Sequence, residues 1–236
     1  MTERLYFRQL LSGHDFAETD VIAQQMRNFA YLIGDRETGD TVVVDPAYAA
    51  NDLVDIIEAD GMKLSGALVT HHHPDHVGGT MMGFELKGLA ELLERQSVPV
   101  HVNSLEAEWV SRVTGIAGSD LTAHEHGDKI SIGDVEIELL HTPGHTPGSQ
   151  CFLLDGMLVA GDTLFLEGCG RTDFPGGSVD DMYRSLQQLA KLPGDPTVFP
   201  GHWYSMEPSA SLSNVRRNNY VYQASSLDQW RMLMGG

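Results

Sequence analysis

Thr70-His71-His72-His73-Pro74-Asp75-His76 packs four histidines and a carboxylate into six consecutive positions. A polar surface loop accounts for a single histidine but not for this density. Imidazoles so close repel one another on protonation unless a metal holds their lone pairs. Imidazole and carboxylate ligands suit zinc, iron or manganese. If the chain stays extended past Thr70, His71 and His73 share one side. Pro74 then disfavours helix at His73 and turns the chain, so Asp75 and His76 can point to a second position. One loop can thus serve two metals. His72 falls on the opposite side and is expected to face solvent or back the ligands from behind.

Three further residues of ligand type follow short apolar runs. His145 lies in Thr142-Pro143-Gly144-His145-Thr146-Pro147-Gly148-Ser149, where two Pro-Gly pairs fix a turn. Asp162 comes after Met157 to Ala160 and Gly161, and its two oxygens can bridge two cations. His202 follows Val198-Phe199-Pro200-Gly201. Each is ambiguous alone; beside the histidine loop they are much less so. Without a metal, seven such residues would form a costly unpaired cluster.

The elements that must position these residues are short and alternate in type. Asn28 to Gly34 and Thr41 to Asp45 read as a hairpin. Asn51 offers a cap to a helix carrying Leu53, Ile56 and Ile57, with Gly61 as its stop. Leu64 to Thr70 reads as a buried strand running into the histidine loop. Met81 to Gln96 has helical spacing at Leu86, Leu89, Ala90 and Leu93; its Met81 and Met82 suit core packing, or a wall beside substrate. A strand at Val98 to Val102 and a helix near Leu105 to Val113 follow. Two hairpins pair Lys129–Ile132 with Val135–His141 and Gln150–Leu154 with Met157–Ala160. Ser178 caps a helix with Leu186 and Leu189 on its inner face. Thr197 to Phe199 is a last strand, and the tail is weakly helical. The chemistry-bearing residues therefore sit at strand ends, where rigid scaffolds display function. His124, Glu125, His126 and Asp128 read as an exposed polar loop, and Cys151 as core.

The chain of 236 residues carries 15 basic and 33 acidic side chains, a net charge of −18. That argues against nucleic acid and against an anionic membrane surface as partners. Two cysteines are too few for a disulfide framework. With no signal-like or membrane-spanning run, the expectation is a cytoplasmic location.

The ordered set His-x-His-x-Asp-His, Thr-Pro-Gly-His-Thr-Pro-Gly, Gly-Asp and Gly-His resembles the metallo-β-lactamase superfamily over His71 to His202. The resemblance implies an α/β fold, a four-layer αβ/βα sandwich with the site at one edge of two sheets. It implies that His71, His73 and His145 hold one metal, that Asp75, His76 and His202 hold a second, and that Asp162 bridges them. Two divalent ions, zinc first and iron or manganese as alternatives, would activate a water as hydroxide and polarise a carbonyl. Asp75 is the catalytic candidate, orienting that nucleophile or taking its proton.

Asp162-Thr163-Leu164-Phe165 and Gly168-Cys169-Gly170-Arg171 resemble glyoxalase II, the hydroxyacylglutathione thioesterase, in a short bacterial form. This implies a small acyl thioester or ester substrate, such as a glutathione conjugate. Arg171-Thr172-Asp173-Phe174 is also similar to the persulfide dioxygenases, which use one iron, and that is the alternative function. Tyr204 corresponds to a tyrosine near the glutathione thioester. Glyoxalase II has a longer C-terminal helical domain, whereas only about 30 residues follow Tyr204 here. The expected organisation is a catalytic domain at 1–205 and a short helical extension at 206–236 packed on it. Arg216 and Arg217 in that extension are candidates for clamping substrate carboxylates, or else form a solvated helix face. Arg171 is read as a buried arginine pairing with a carboxylate such as Asp173 to brace the metal loops, with contact to an anionic substrate as the alternative, and Cys169 as a small buried residue, with a reactive thiol near the site as the alternative.

Overall fold

The computed structural model describes residues 4–234. Its strands are β1 (Leu5–Leu11), β2 (Phe29–Asp35), β3 (Asp40–Val44), β4 (Lys63–Leu68), β5 (Gly79–Met81), β6 (Phe84–Leu86), β7 (Val100–Asn103), β8 (Leu121–His124), β9 (Lys129–Ile132), β10 (Val135–His141), β11 (Gln150–Leu154), β12 (Met157–Gly161), β13 (Thr197–Pro200) and β14 (Ala210–Ser211). The α-helices are α1 (Val21–Met26), α2 (Ala50–Ala59), α3 (Pro74–Val77), α4 (Leu89–Arg95), α5 (Ala107–Thr114), α6 (Val179–Leu189), α7 (Leu212–Asn218) and α8 (Leu227–Leu233). One six-stranded sheet runs β1-β2-β3-β4-β7-β8 and the other β14-β13-β12-β11-β10-β9, while β5 and β6 form a separate hairpin.

Strand alternation divides the apolar residues among three cores. Along β2, Ala30 and Leu32 enter a core that also holds Leu53 and Ile57 of α2. Phe29, Tyr31 and Ile33 enter a second core shared with Phe152 and Val159 of the other sheet. Leu158 and Ala160 of β12 point the other way, into a third core with Leu186 and Leu189 of α6 and Trp230 of α8. A strand buried on both faces reads as one continuous apolar run, as β2 and β12 do. Three cores between four layers give helices, sheet, sheet, helices: the αβ/βα sandwich expected from the sequence.

Several local expectations need correction. The helix proposed over Met81 to Gln96 is a hairpin followed by a seven-residue helix, α4. Gly83 takes φ +83° at the hairpin turn, and that punctuation outweighs the helical spacing before Leu89. Asn51 does not cap α2, which starts at Ala50. Glu91 of α4 does so from outside, accepting from Ala50 N (3.0 Å) and from Asn51 Nδ2 (3.0 Å). Helix α1, capped by Asp20 on Ile22 N and Ala23 N, precedes the first strand of the expected hairpin and has no counterpart among the elements expected from the sequence. His124 ends β8 and hydrogen-bonds His101 at 2.9 Å, half-buried and not in an exposed loop, whereas His126 is exposed. At the C-terminal end, α8 packs on α6 through Trp230, whose Nε1 donates to Val179 O (2.7 Å), and through Arg231 on Asp180. No helix among the described residues is long and apolar enough to cross a membrane.

Candidate metal centre

The two sheets pack face to face, and the ligand-type residues gather at one end of the sandwich, where the loops after the strands meet. Gln150 at the start of β11 donates its backbone N–H to Thr70 O (2.9 Å) and its side chain to Val69 O (2.8 Å). Phe29 N donates to Gly201 O (2.8 Å), and Trp203 N to Arg27 O (3.0 Å). After β4 the chain stays extended, and His73 (φ −64°, ψ 141°) precedes Pro74 at the start of α3. One turn of helix then turns Asp75 and His76 inward, both buried. His145, Asp162 and His202 follow β10, β12 and β13. Gly161 (φ +48°) lies against Thr70 with no room for a Cβ, so the strand end can approach the histidine loop.

Two clusters of donors result. His71, His73 and His145 form one and Asp75, His76 and His202 the other, with the donor atoms of each group within 4.8 Å of one another; a third group at that spacing, Asp45 with His71 and His76, overlaps both and is engaged by the Asp45–His76 hydrogen bond. Asp162 lies between them: Oδ1 is 3.4 Å from His76 Nε2, and Oδ2 is 3.6 Å from His145 Nε2 and 3.3 Å from His202 Nε2. The far ring nitrogens are taken. His71 Nδ1 meets Thr70 Oγ1 (3.0 Å), His145 Nδ1 donates to Arg171 O (2.6 Å), His76 Nδ1 to Asp45 Oδ2 (2.9 Å), and His202 Nδ1 to Met26 O (2.9 Å). Such contacts fix each tautomer and aim Nε2 inward. His71 Nε2 and His73 Nδ1 are 3.1 Å apart, and His76 Nε2 and His202 Nε2 3.3 Å. His145 Nε2 and Asp162 Oδ1 are buried with no hydrogen-bond partner. Buried polar atoms left this way are rare. Converging nitrogens, a carboxylate between them and orphaned donor atoms fit two divalent metal ions.

The local electrostatics divide the clusters. Burial, then the neighbouring imidazoles, depress His73 to about 3 and push His71 far below its ordinary value. Burial also opposes charge on His76, but Asp162, Asp75 and Asp45 outweigh it and raise it to about 10. His202 is raised against its own burial by Asp162. Burial disfavours the charged form of Asp162 too, and His202 and His76 overcome that to hold the carboxyl far below its ordinary range.

Residues outside the expected set support it. Asp45, in left-handed backbone (φ 52°) at the end of β3, accepts from Thr70 N (2.8 Å), Thr70 Oγ1 (2.6 Å) and His76 Nδ1. Asn28 Nδ2 donates to Asp75 Oδ2 (3.1 Å), while Tyr48 OH donates to Asn28 Oδ1 (2.9 Å) and so orients the amide. Glu106, fully buried at the start of α5, accepts from His72 N (2.8 Å), His72 Nδ1 (2.5 Å), Thr146 Oγ1 (2.6 Å) and Gly148 N (2.8 Å). His72 is therefore buried behind the ligand-type residues, hydrogen-bonded to Glu106 and stacked on Trp109, and does not face solvent. Arg171 does pair with Asp173 (2.6 Å), but its side chain is 69% exposed; only its carbonyl touches a ligand residue. Cys169 lines the cleft over the site, which has a volume of about 640 Å³. Tyr204 is on the same cleft, stacked on His202 with ring centroids 4.7 Å apart. Arg216 and Arg217 are not brought there: they lie on α7 and line a depression with Tyr183 and Gln187 that shares no residue with the cleft.

Residues 25–202 match the metallo-beta-lactamase superfamily. A probable polyketide biosynthesis zinc-dependent hydrolase of Bacillus velezensis is 32% identical over 85% of this chain and 84% of its own length. The hydroxyacylglutathione hydrolase of Rhodopseudomonas palustris is 36% identical over 84% and 71%. The mitochondrial persulfide dioxygenase of Bos taurus is 33% identical over 82% and 73%. Among solved structures, that of ETHE1 from Myxococcus xanthus superposes with a TM-score of 0.77 at 27% identity, covering 98% of this chain and 90% of the other. A donor set for divalent metals at the joined edge of an αβ/βα sandwich, together with these likenesses, makes the chain a member of the metallo-β-lactamase superfamily of metal-dependent hydrolases.

Proposed function

We propose that the chain hydrolyses an acyl thioester or related acyl ester in the manner of glyoxalase II, using two divalent metals, zinc foremost. The observation that carries this reading is that both donor clusters are complete and adjacent, with Asp162 between them. His71, His73 and His145 would hold one ion, and Asp75, His76 and His202 the other. Bound there, the ions would supply an activated water and an electrophile for the carbonyl. Asp75, held by Asn28, orients the nucleophile or takes its proton. Tyr204 flanks the scissile group, and the buried backing by Glu106 and Asp45 keeps the ligand loops rigid. A clamp on substrate carboxylates by Arg216 and Arg217 would require a substrate reaching from the cleft to their depression. The same reading treats residues 1–205 as the catalytic unit and 206–236 as an appended extension.

The persulfide dioxygenase reading is the alternative, and the similar identity to the Bos taurus enzyme favours keeping it. Metal analysis of protein purified without added metal separates the two. Two metal equivalents with turnover of S-lactoylglutathione and no oxygen uptake support the hydrolase. One iron with oxygen uptake on glutathione persulfide overturns it.

A further inference from the structure

Beside the ligand-type residues, the cleft above them is lined by side chains with no ligating role. The β5–β6 hairpin contributes Met81 and Met82, α5 contributes Trp109 and Val113, and the loop after β12 contributes Phe165 and Phe174. Methionine is unbranched and polarizable, so a wall containing it adapts to flexible apolar chains. Met82 is 88% exposed, and it sits at the hairpin tip in left-handed backbone, φ 51°. A large, flexible apolar side chain at that point is poorly explained by packing of the fold. It widens the apolar wall outward from the site.

Charge on the lining is sorted. In a chain of net charge −18, the carboxylates that reach the cleft among the described residues are Asp75 and Asp162, both in the ligand clusters. Its two guanidinium groups belong to Arg112 and Arg171. Each stacks on an aromatic ring of the wall, Arg112 over Trp109 at 5.0 Å and Arg171 over Phe174 at 4.7 Å. Those rings in turn touch the ligand loop: Trp109 stacks on His72, and Phe174 meets His73 edge-on, both with centroids 5.0 Å apart. Both arginines have carboxylate neighbours, Glu108 and Asp173, in exposed pairs. Exposed pairs hold weakly, and a guanidinium has five N–H donors, so each can also engage an anion.

We propose that this cleft selects acyl thioesters in which an apolar acyl arm of several methylenes runs along Met81, Trp109 and Val113, while an anionic thiol half meets Arg112 and Arg171. The proposal rests on the hydrolase reading and deepens it by naming the substrate class. A cleft of about 640 Å³ is roomy enough, since pockets enclosing whole drug-sized ligands span about 300–1,000 Å³. A short hydroxyacyl group would leave most of this wall uncovered.

The test uses the full-length, metal-loaded protein and two series of thioesters running from acetyl to octanoyl. One series is on coenzyme A, which is anionic, and the other on N-acetylcysteamine, which is neutral. In both, kcat/KM is expected to climb by up to roughly fourfold per added methylene until the wall is filled. At equal acyl length, coenzyme A thioesters should lead by about tenfold. Arg112→Gln with Arg171→Gln should erase that lead, and Trp109→Ala should flatten the climb with chain length. Metal content of each variant, measured alongside, identifies any loss that comes from a damaged site. Hydrolysis that is flat in chain length, or equal on the two thiols, overturns the proposal and leaves the hydrolase reading standing. No hydrolysis of any thioester by protein carrying two metals overturns both.

Discussion

Glu106→Gln tests whether the ligand loops are held from behind. Each carboxylate oxygen accepts from two donors: Oε2 from the His72 backbone N–H and Nδ1, Oε1 from Thr146 Oγ1 and the Gly148 N–H. A glutamine is no isostere here. Whichever way its amide faces, the NH2 confronts two of those groups, and one of them is a backbone N–H that can only donate. An orphaned buried donor costs about 1–3 kcal/mol, and losing charge-assisted bonds on the other side brings the sum to about 3 kcal/mol. For a chain of this length that is a fall of roughly 6–12 °C in Tm. Because Glu106 ties the His71–His76 loop to the His145 loop, affinity for the first metal should drop by about 10- to 100-fold as well. Thermal melts of metal-free protein, with calorimetric titration of zinc, read both effects. An unchanged Tm and an unchanged first-site affinity would refute the bracing role. Burial opposes ionisation of Glu106, but His72, Thr146 and Gly148 overcome this and hold its pKa below the usual carboxylate value. Its contribution is therefore present above the ordinary glutamate pKa and is lost as pH falls through the depressed value.

The two donor clusters should take up metal with different proton balances. His71 and His73 are pushed toward the neutral form, whereas His76, raised to about 10, holds a proton near pH 7 in the metal-free protein, so the second equivalent should expel more protons than the first. Calorimetry in two buffers of different ionisation enthalpy measures this, and proton release confined to the first equivalent contradicts it. The depressed pKa of His73 has a stability consequence with definite sign: its neutral form favours the metal-free fold above the ordinary histidine pKa of 6.5, and this is lost as pH falls toward about 3. Denaturant midpoints across that window should fall with pH, all the more steeply for the neighbouring His71. Asp162→Asn keeps the shape but removes charge between the clusters; metal content should drop below two equivalents and turnover by at least about 100-fold, so full occupancy with full rate would exclude a bridging role. His73→Ala should lose first-site metal outright, whereas His72→Ala should retain most of it yet destabilise the fold by about 1–3 kcal/mol, because Glu106 loses one of its four hydrogen bonds while the backbone N–H of residue 72, Thr146 and Gly148 still donate to it.

The ligand-type residues could be read from the sequence because each follows a short apolar run, and a strand end is a fixed place on a sheet. Asp45 follows Thr-Val-Val-Val and obeys the same rule, but its partners Thr70 and His76 converge on it only once β3 and β4 lie side by side. Glu106 carries no such mark. It sits among ordinary helix-start residues, and its partners are 34 to 42 positions away. The segment from Met81 misleads for a local reason: Leu89 and Leu92 are helical and buried, but Gly83 and Gly88 end the pattern before it reaches back to the methionines. His72 shows the limit of alternation, because the side opposite the ligands is not solvent but the space beneath α5.

The seam between the sheets has a mechanical meaning. One sheet supplies His71, His73, Asp75 and His76, and the other supplies His145, Asp162 and His202, so each cluster draws ligands from both. A metal bound in either cluster would therefore be a rivet through two plates, its binding energy adding, at that end, to the adhesion that the core shared by the two sheets already supplies. Loss of metal should loosen the joint before it softens either plate. Amide exchange should then quicken first at Gln150, Phe29 and Trp203, whose N–H groups donate across the seam, while the centres of β2 and β12 stay protected.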